Sequence, residues 1–322
     1  MGDSPEKSGS GGKSRIKWGD PFTKGRAAVE SLAAILRYFP PHLSSSETPA
    51  TSLLHDPDVA TQISTLLRRP DSGAVNDNLC AWLYDTFHSA DPHLQLVVLR
   101  FLPLLAGVYL TRAALNKPLP GFESVLLAIY AHETAARGGA ATTVSIPDLA
   151  HPSVYHENKS PPAKNASSDL NLAVITPGLE PHGTVRSTRR PKIVGVALEL
   201  YYSRISLIPV GSKLDLCDFC RVWSGHDAER ADGRRSRISL PWELMQPILR
   251  ILGHCLFRPA KNYDLFQAAF AACQCMNARA QHDMNAKAML ATASLVRLAQ
   301  MDMDPHSDVD HTELPITNEI SV

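Results

Sequence analysis

Cys217 and Cys220 are separated by two residues, a spacing that can hold a metal ion or form a reactive dithiol, and His226 follows six residues later. A structural zinc site needs four ligands within tetrahedral reach, and no second pair with suitable spacing follows nearby. Thioredoxin-type chemistry needs a βαβ setting, whereas LDLCDFCRVW has the pattern of a helix on which Leu214 and both cysteines share one face. The sequence therefore favours core cysteines, with a zinc site and a dithiol as alternatives.

Other patterns associated with catalysis are incomplete in this chain. The run GGKS at residues 11–14 resembles the end of a phosphate-binding loop, but Lys7 stands where the earlier glycine is required and no strand precedes it. The chain contains no GxSxG, HExxH or kinase-type glycine loop. We therefore expect no catalytic residue, no resident metal and no cofactor, and the protein is not expected to be an enzyme.

Two basic runs, RSTRRPK and RADGRRSR, flank a predicted helix and could lie close together in space. Such clusters attract anionic lipid headgroups with about 1 kcal/mol for each basic residue near the surface. Solvated loops with an ordinary arginine content are the alternative interpretation. The candidate contacts with an anionic surface are Arg186, Arg189, Arg190, Lys192, Arg234 and Arg235.

Composition indicates a globular protein that does not bind nucleic acid. The 322 residues carry 32 basic and 32 acidic side chains, and 44% of them are hydrophobic. A neutral chain lacks the basic face that coats nucleic acid, and aromatic residues do not alternate with its arginines. Six cysteines and an N-terminus without an apolar stretch predict an intracellular protein.

Hydrophobic periodicity predicts helices along nearly the whole chain. Asp56 and Pro57 have the pattern of an N-cap and first turn, and Pro103 should kink or split the apolar run from Leu94 to Leu110. The segment TTVSIPDLAHPSVYH suits an extended, packed loop or an edge strand better than a paired ladder. The predicted fold is all-α: a compact, irregular domain of about ten helices with one extended central loop and disordered termini.

The predicted domain organisation follows from shifts in composition. Glycine, serine and lysine dominate the start of the chain, whereas its end holds six acids and no lysine or arginine. The predicted segments are a disordered basic arm over 1–20, a helical domain over 21–301 with a mobile loop over 158–191, and a disordered acidic tail over 302–322.

Three successive segments carry a family resemblance: RFLPLLAGVYL, ESVLLAIYAHE and, at residues 144–157, VSIPDLAHPSVYHE. Further segments follow in the same order, among them VALELYYSRIS and LDLCDFCRVWSG. Together they resemble the hyccin family over roughly residues 25–300, and the short acidic end is similar to its short, plant-type branch. In that family the segment bearing the two cysteines is an ordinary helix, which agrees with a structural role for Cys217 and Cys220.

The resemblance implies a non-catalytic scaffold or regulatory subunit. Its implied partners are a tetratricopeptide-repeat scaffold (of the No Pollen Germination type in a plant), a type III alpha phosphatidylinositol 4-kinase and a membrane-anchored helical-repeat tether. With the scaffold, such a subunit stabilises the kinase and holds it at the plasma membrane for phosphatidylinositol 4-phosphate production. The implied location is the cytosol, with peripheral recruitment to the inner face of the plasma membrane.

The family signature contains the candidate contacts with a partner, namely Pro152, Val154, Tyr155 and His156. A loop of this kind is exposed enough for another protein to bind it. The alternative interpretation is an internal clamp that ties the two helical halves together. A helical adaptor unrelated to lipid kinases is the competing functional hypothesis, and it predicts a regular curved solenoid.

Overall fold

The structure, a computed structural model, describes residues 21–115, 117, 119–147, 170–176, 178–180, 189–225, 238–257 and 262–303. Within these ranges the chain forms thirteen α-helices and one two-stranded antiparallel ribbon, which confirms the predicted all-α fold. Proline begins many of these helices because its fixed φ suits the first turn, where its missing N–H is not needed. The predicted arm over 1–20 and residues 304–322 of the predicted tail lie outside the described residues.

The first eight helices precede the ribbon. They include two short helices between residues 41 and 55 that the sequence did not predict, which is one reason why the count exceeds ten. Their bounds are α1 (Pro21–Ala33), α2 (Pro41–Ser44), α3 (Pro49–His55), α4 (Pro57–Arg68), α5 (Asn78–His88), α6 (Pro92–Arg100), α7 (Leu102–Ala113) and α8 (Pro120–Arg137).

Five helices follow the ribbon. Their bounds agree to within a few residues with the helices that periodicity predicts near 192–204, 213–223, 240–257, 261–280 and 284–301. The observed helices are α9 (Arg190–Ser203), α10 (Val210–Ser224), α11 (Trp242–Phe257), α12 (Tyr263–His282) and α13 (Ala286–Met303). Helix length varies from four residues in α2 to 20 in α12. A regular solenoid repeats pairs of similar length, so the described part of the chain does not have that architecture.

Aspartates begin several helices, as the sequence predicts for Asp56. Its carboxylate accepts a hydrogen bond from the backbone N–H of Val59 at 2.8 Å, and Asp91 caps α6 in the same way. Each cap satisfies a backbone donor that lacks a partner within its helix. The predicted start of α4 is therefore confirmed.

The most apolar run of the chain is divided between α6 and α7, as Pro103 predicts. The two helices meet at Phe101 with a bend of 45°. Among the described residues no single helix is long and apolar enough to cross a bilayer, although α6 and α7 reach that length and composition as a bent pair. Nearly all residues from Leu94 to Leu110 are buried inside the helical body.

The ribbon pairs β1 (Thr142–Pro147) with β2 (Leu170–Thr176) in antiparallel register, with Val144 opposite Ala173. The sequence offers a packed loop or an edge strand for TTVSIP, and β1 is an edge strand, whereas β2 lies within the range 158–191 for which a mobile loop is predicted. The β-branched residues of each segment find a partner in the other, which single-segment patterns do not reveal. The start of α9 at Arg190 also lies inside the range predicted as a loop.

Two glycines let neighbouring helices approach closely. A Cβ on Gly107 of α7 would overlap the ring of Phe219 on α10, and a Cβ on Gly195 of α9 would lie 2.6 Å from the carbonyl oxygen of Glu243. Both glycines are therefore required by packing and not by a special backbone conformation. The contact of Gly107 with Phe219 joins a helix before the ribbon to one after it, whereas the contact of Gly195 joins α9 to α11.

Candidate interaction surfaces

The predicted functional residues fall partly within the described structure. The structure describes Arg189, Arg190 and Lys192, which lie at the start of α9. The family signature begins in β1 and continues into residues that the structure does not describe. The predicted residues outside the described ranges are Pro152, Val154, Tyr155, His156, Arg186, Arg234 and Arg235.

A carboxylate that sequence reasoning missed lies beside two of the basic residues. Arg189 forms an ion pair with Glu180, and the Nζ of Lys192 lies 3.6 Å from the Oε1 of the same carboxylate. Lys192 also donates a hydrogen bond to the carbonyl oxygen of Gly178 at 3.4 Å. These contacts tie the segment that leaves β2 to the first turn of α9.

Arg190 belongs to a second cluster, which links α7, α8 and α9. Its Nε donates a hydrogen bond to the Oη of Tyr109 at 3.0 Å, and this hydroxyl donates to the Oε1 of Glu123 at 2.9 Å. Burial, followed by the hydrogen bond to Glu123, raises the pKa of Tyr109, so the phenol stays protonated and serves as a donor. The guanidinium of Arg190 also lies 3.7 Å from Glu123.

The three basic residues at the start of α9 thus serve intramolecular contacts. Two carboxylates, Glu180 and Glu123, lie beside three cations. Arg189 keeps about half of its side chain exposed, whereas that of Lys192 is mostly buried. Contact with an anionic surface remains a prediction for these residues, with Arg189 the most accessible of the three.

A third cluster holds the base of the ribbon against α8. Arg137 donates hydrogen bonds to the Oγ1 of Thr176 at 3.0 Å and to Glu199 at 3.2 Å, and it also pairs with Glu133. Burial raises the pKa of Glu199, and the neighbouring Arg137 only partly opposes this effect. Leu179 is buried and its backbone N–H donates a hydrogen bond to the carbonyl oxygen of Gly139 just after α8, so the chain is also fixed where it leaves β2.

The ribbon itself is exposed. Val144 retains 43% of its accessible surface and Val174 retains 59%, although both are large apolar residues within strands. A two-stranded ribbon is marginally stable alone in water, so the polar clusters at its base contribute to its position. The family signature begins in β1, and its remaining residues lie between the two strands in the chain.

Helix α13 also carries exposed apolar side chains. Leu290 is 74% exposed and Leu298 is 47% exposed, whereas the fully buried residues of this helix, Ala288, Thr292 and Ala299, are small. The sequence did not separate this face from core because an alanine-rich helix with spaced leucines has the same pattern in both cases.

Five of the six cysteines are buried in the core. Cys217 and Cys220 are fully buried on α10, and Cys255 and Cys273 are buried on the neighbouring α11 and α12. A hydrogen bond with Cys255, followed by burial, raises the pKa of Cys217, and burial raises the pKa of Cys273 to about 12. Buried thiols with raised pKa values are poor nucleophiles and poor metal ligands.

Metal binding has no support in the described part of the chain. None of its groups of histidine, cysteine, aspartate and glutamate has an arrangement that could hold a metal ion. The core interpretation of Cys217 and Cys220 therefore agrees with the structure better than the zinc or dithiol alternatives.

Comparison with known protein families identifies the chain. The sequence profile described as hyccin matches residues 44–320, which is most of the chain. The protein belongs to the hyccin family. The match covers everything from the end of α2 onwards, and it extends beyond α13 into the segment that we predicted to be a tail. Family membership is consistent with a non-catalytic adaptor role.

The first helix belongs to the same folded body as the hyccin domain although it precedes the matched range. Val29 and Leu32 of α1 are buried in the core, and the indole N–H of Trp82 in α5 donates a hydrogen bond to the carbonyl oxygen of Ala28. A shortened chain that begins at residue 44 would therefore expose part of the core around Trp82.

Proposed function

We propose that this hyccin-family protein is the non-catalytic subunit that joins a tetratricopeptide-repeat scaffold to a type III alpha phosphatidylinositol 4-kinase. In this role it stabilises the kinase and helps to hold it at the inner face of the plasma membrane, where phosphatidylinositol 4-phosphate is made. The match of the hyccin family to residues 44–320 carries the proposal.

The fold supports an adaptor role. The described residues form helices around one apolar core, and exposed apolar side chains include Leu290 and Leu298 on α13 and Val144 and Val174 on the ribbon. Such surfaces on a folded domain are typical of protein contacts, in which a few aliphatic or aromatic residues give most of the affinity. An adaptor needs surfaces of this kind and no reactive group.

Peripheral membrane contact in this proposal involves the basic residues at and before the start of α9. The exposed guanidinium of Arg189 lies at the end of the segment that contains Arg186, and both belong to the predicted basic runs. In the proposed complex, the membrane-anchored tether positions the assembly, and contact with an anionic leaflet would strengthen its attachment to the membrane. Replacing Arg186 and Arg189 by glutamate should therefore weaken membrane recruitment without releasing the scaffold.

Affinity purification tests the proposed partners. The tagged chain should co-purify with both a tetratricopeptide-repeat protein and a phosphatidylinositol 4-kinase when the bound proteins are identified by mass spectrometry. Recovery of helical partners without any lipid kinase would support the alternative, an adaptor unrelated to lipid kinases. Recovery of neither partner would contradict the proposal.

A further inference from the structure

Helix α13 is covered on one side only. The residues buried against the body are Ala288, Thr292 and Ala299, and the hydroxyl of Thr292 donates a hydrogen bond to the carbonyl oxygen of Ala288. Since these side chains are small, α13 lies close to α12 and α11. The larger residues Met289, Leu295 and Val296 are partly buried and also pack against the core, whereas Leu290 and Leu298 are left exposed.

The outer face of α13 has the spacing of a helix-packing ridge. Leu290, Ser294 and Leu298 are four residues apart, and at 3.6 residues per turn they form one row along the helix. Ala293 lies beside this row and would let another helix approach closely. A straight helical ridge with small neighbours fits the groove between two helices better than it fits a strand or a flat surface.

The charges on this face have one sign over most of its length. Lys287 and Arg297 are both exposed and lie within one turn of Leu290 and Leu298. Asp302 is the first acidic residue of α13 and is found at its end. A complementary surface therefore needs carboxylates beside an apolar stripe, and this disfavours a parallel second copy of α13, which would bring equal charges together.

We propose that the outer face of α13 is the surface by which this protein docks on its helical-repeat scaffold. Leu290 and Leu298 enter an apolar groove between scaffold helices, and Lys287 and Arg297 pair with carboxylates at its rim. This inference rests on the proposed function and names the surface that performs it.

The test compares variants of the full chain co-expressed with the tetratricopeptide-repeat scaffold. We expect L290D/L298D to weaken binding by roughly a hundredfold, because both ridge residues would bring an unpaired charge into the groove. Arg297→Glu should weaken binding about tenfold through charge repulsion. The milder L290S/L298S should weaken binding by a factor between these two values. Circular dichroism checks that each variant is folded.

Leu127 provides a matched control. It is 41% exposed on α8, and α8 packs on α5 and α9, away from α13. Leu127→Asp should leave scaffold binding unchanged. If the wild-type chain binds the scaffold and L290D/L298D binds equally well, the α13 inference is wrong while the proposed function stands.

Two further outcomes overturn the inference in different ways. If the wild-type chain does not bind the scaffold, the proposed function fails together with the docking surface. If light scattering shows that the wild-type chain forms a dimer that L290D/L298D dissociates, while scaffold binding is unchanged in the variant, then a second copy of this chain occupies α13.

Discussion

Three arginines donate hydrogen bonds to backbone carbonyl oxygens at or near helix ends. Arg100 donates to the carbonyl oxygens of Leu53 and Leu54 at the end of α3 and to that of Asp56, where α3 meets α4. Arg112 does the same at the end of α4, and Arg279 donates to the carbonyl oxygen of Trp223 near the end of α10. A guanidinium suits this position because its several N–H groups meet carbonyls that carry the negative end of the helix dipole.

Replacement of Arg100 by methionine should destabilise the fold by about 3 kcal/mol, because the side chain is buried and its carbonyl partners would lose their donor. Urea denaturation followed by circular dichroism measures the change. Arg26→Met is the control, since Arg26 forms an exposed pair with Glu30 and should change stability by less than about 1 kcal/mol. Equal effects of the two substitutions would contradict the proposed role of Arg100.

Glu199 should make stability depend on pH. Burial raises its pKa in the folded protein above the ordinary value of 4.5, so the folded state holds this proton more tightly than the unfolded state. Ionisation then disfavours folding as pH rises from 4.5 through the folded-state pKa. Glu199→Gln removes this effect, so the variant should gain stability relative to the wild type between pH 4.5 and pH 7.

Denaturation of both proteins at the two pH values measures this difference. The other carboxylates titrate in the same way in both proteins. Their contribution therefore cancels to first order when the free energy of unfolding of one protein is subtracted from that of the other. A stability difference that stays constant between pH 4.5 and pH 7 would show that the pKa of Glu199 is not raised by folding.

Most helices of this protein could be predicted from local signals, and the contacts between them could not. Asp56, Pro57 and Pro103 mark helix ends through backbone chemistry that acts within a few residues. Gly107 carries no such signal, since its importance arises from Phe219, which is more than one hundred residues away in the chain. The same reason explains why the pairing of β1 with β2 was missed.

Gly107→Ala should destabilise the protein by about 2 kcal/mol, although alanine is the better helix former. The added methyl group would overlap the ring of Phe219 where α7 crosses α10. In a Phe219→Ala background the same change should be neutral or favourable, because the space is then available. Thermal or urea denaturation of the four proteins completes this double-mutant cycle.

Gly211→Ala is the matched control for this prediction. Gly211 lies in the first turn of α10, and a Cβ there meets nothing within 4 Å. Stability should therefore increase slightly, by about 0.5 kcal/mol. If Gly107→Ala raises stability as Gly211→Ala does, the close crossing of α7 and α10 is not a constraint on the fold.

For the molecule as a whole, the sequence predicted the fold class and the family, whereas the structure was needed to show which apolar side chains are exposed. The apolar stripe of α13 resembles a core stripe until the packing of α11 and α12 shows which residues are covered. Likewise, Glu180 has no sequence pattern that would mark it as the partner of Arg189 and Lys192. An adaptor is described mainly by its exposed surfaces, and these depend on the complete fold.

The central claim is that this chain joins a scaffold and a lipid kinase, and co-expression of all three proteins tests it most directly. We expect one complex in size-exclusion chromatography that contains the chain, the tetratricopeptide-repeat scaffold and the phosphatidylinositol 4-kinase. We also expect the yield of soluble kinase to fall when the chain is omitted. If the chain elutes separately and the kinase is recovered equally well without it, the account is contradicted.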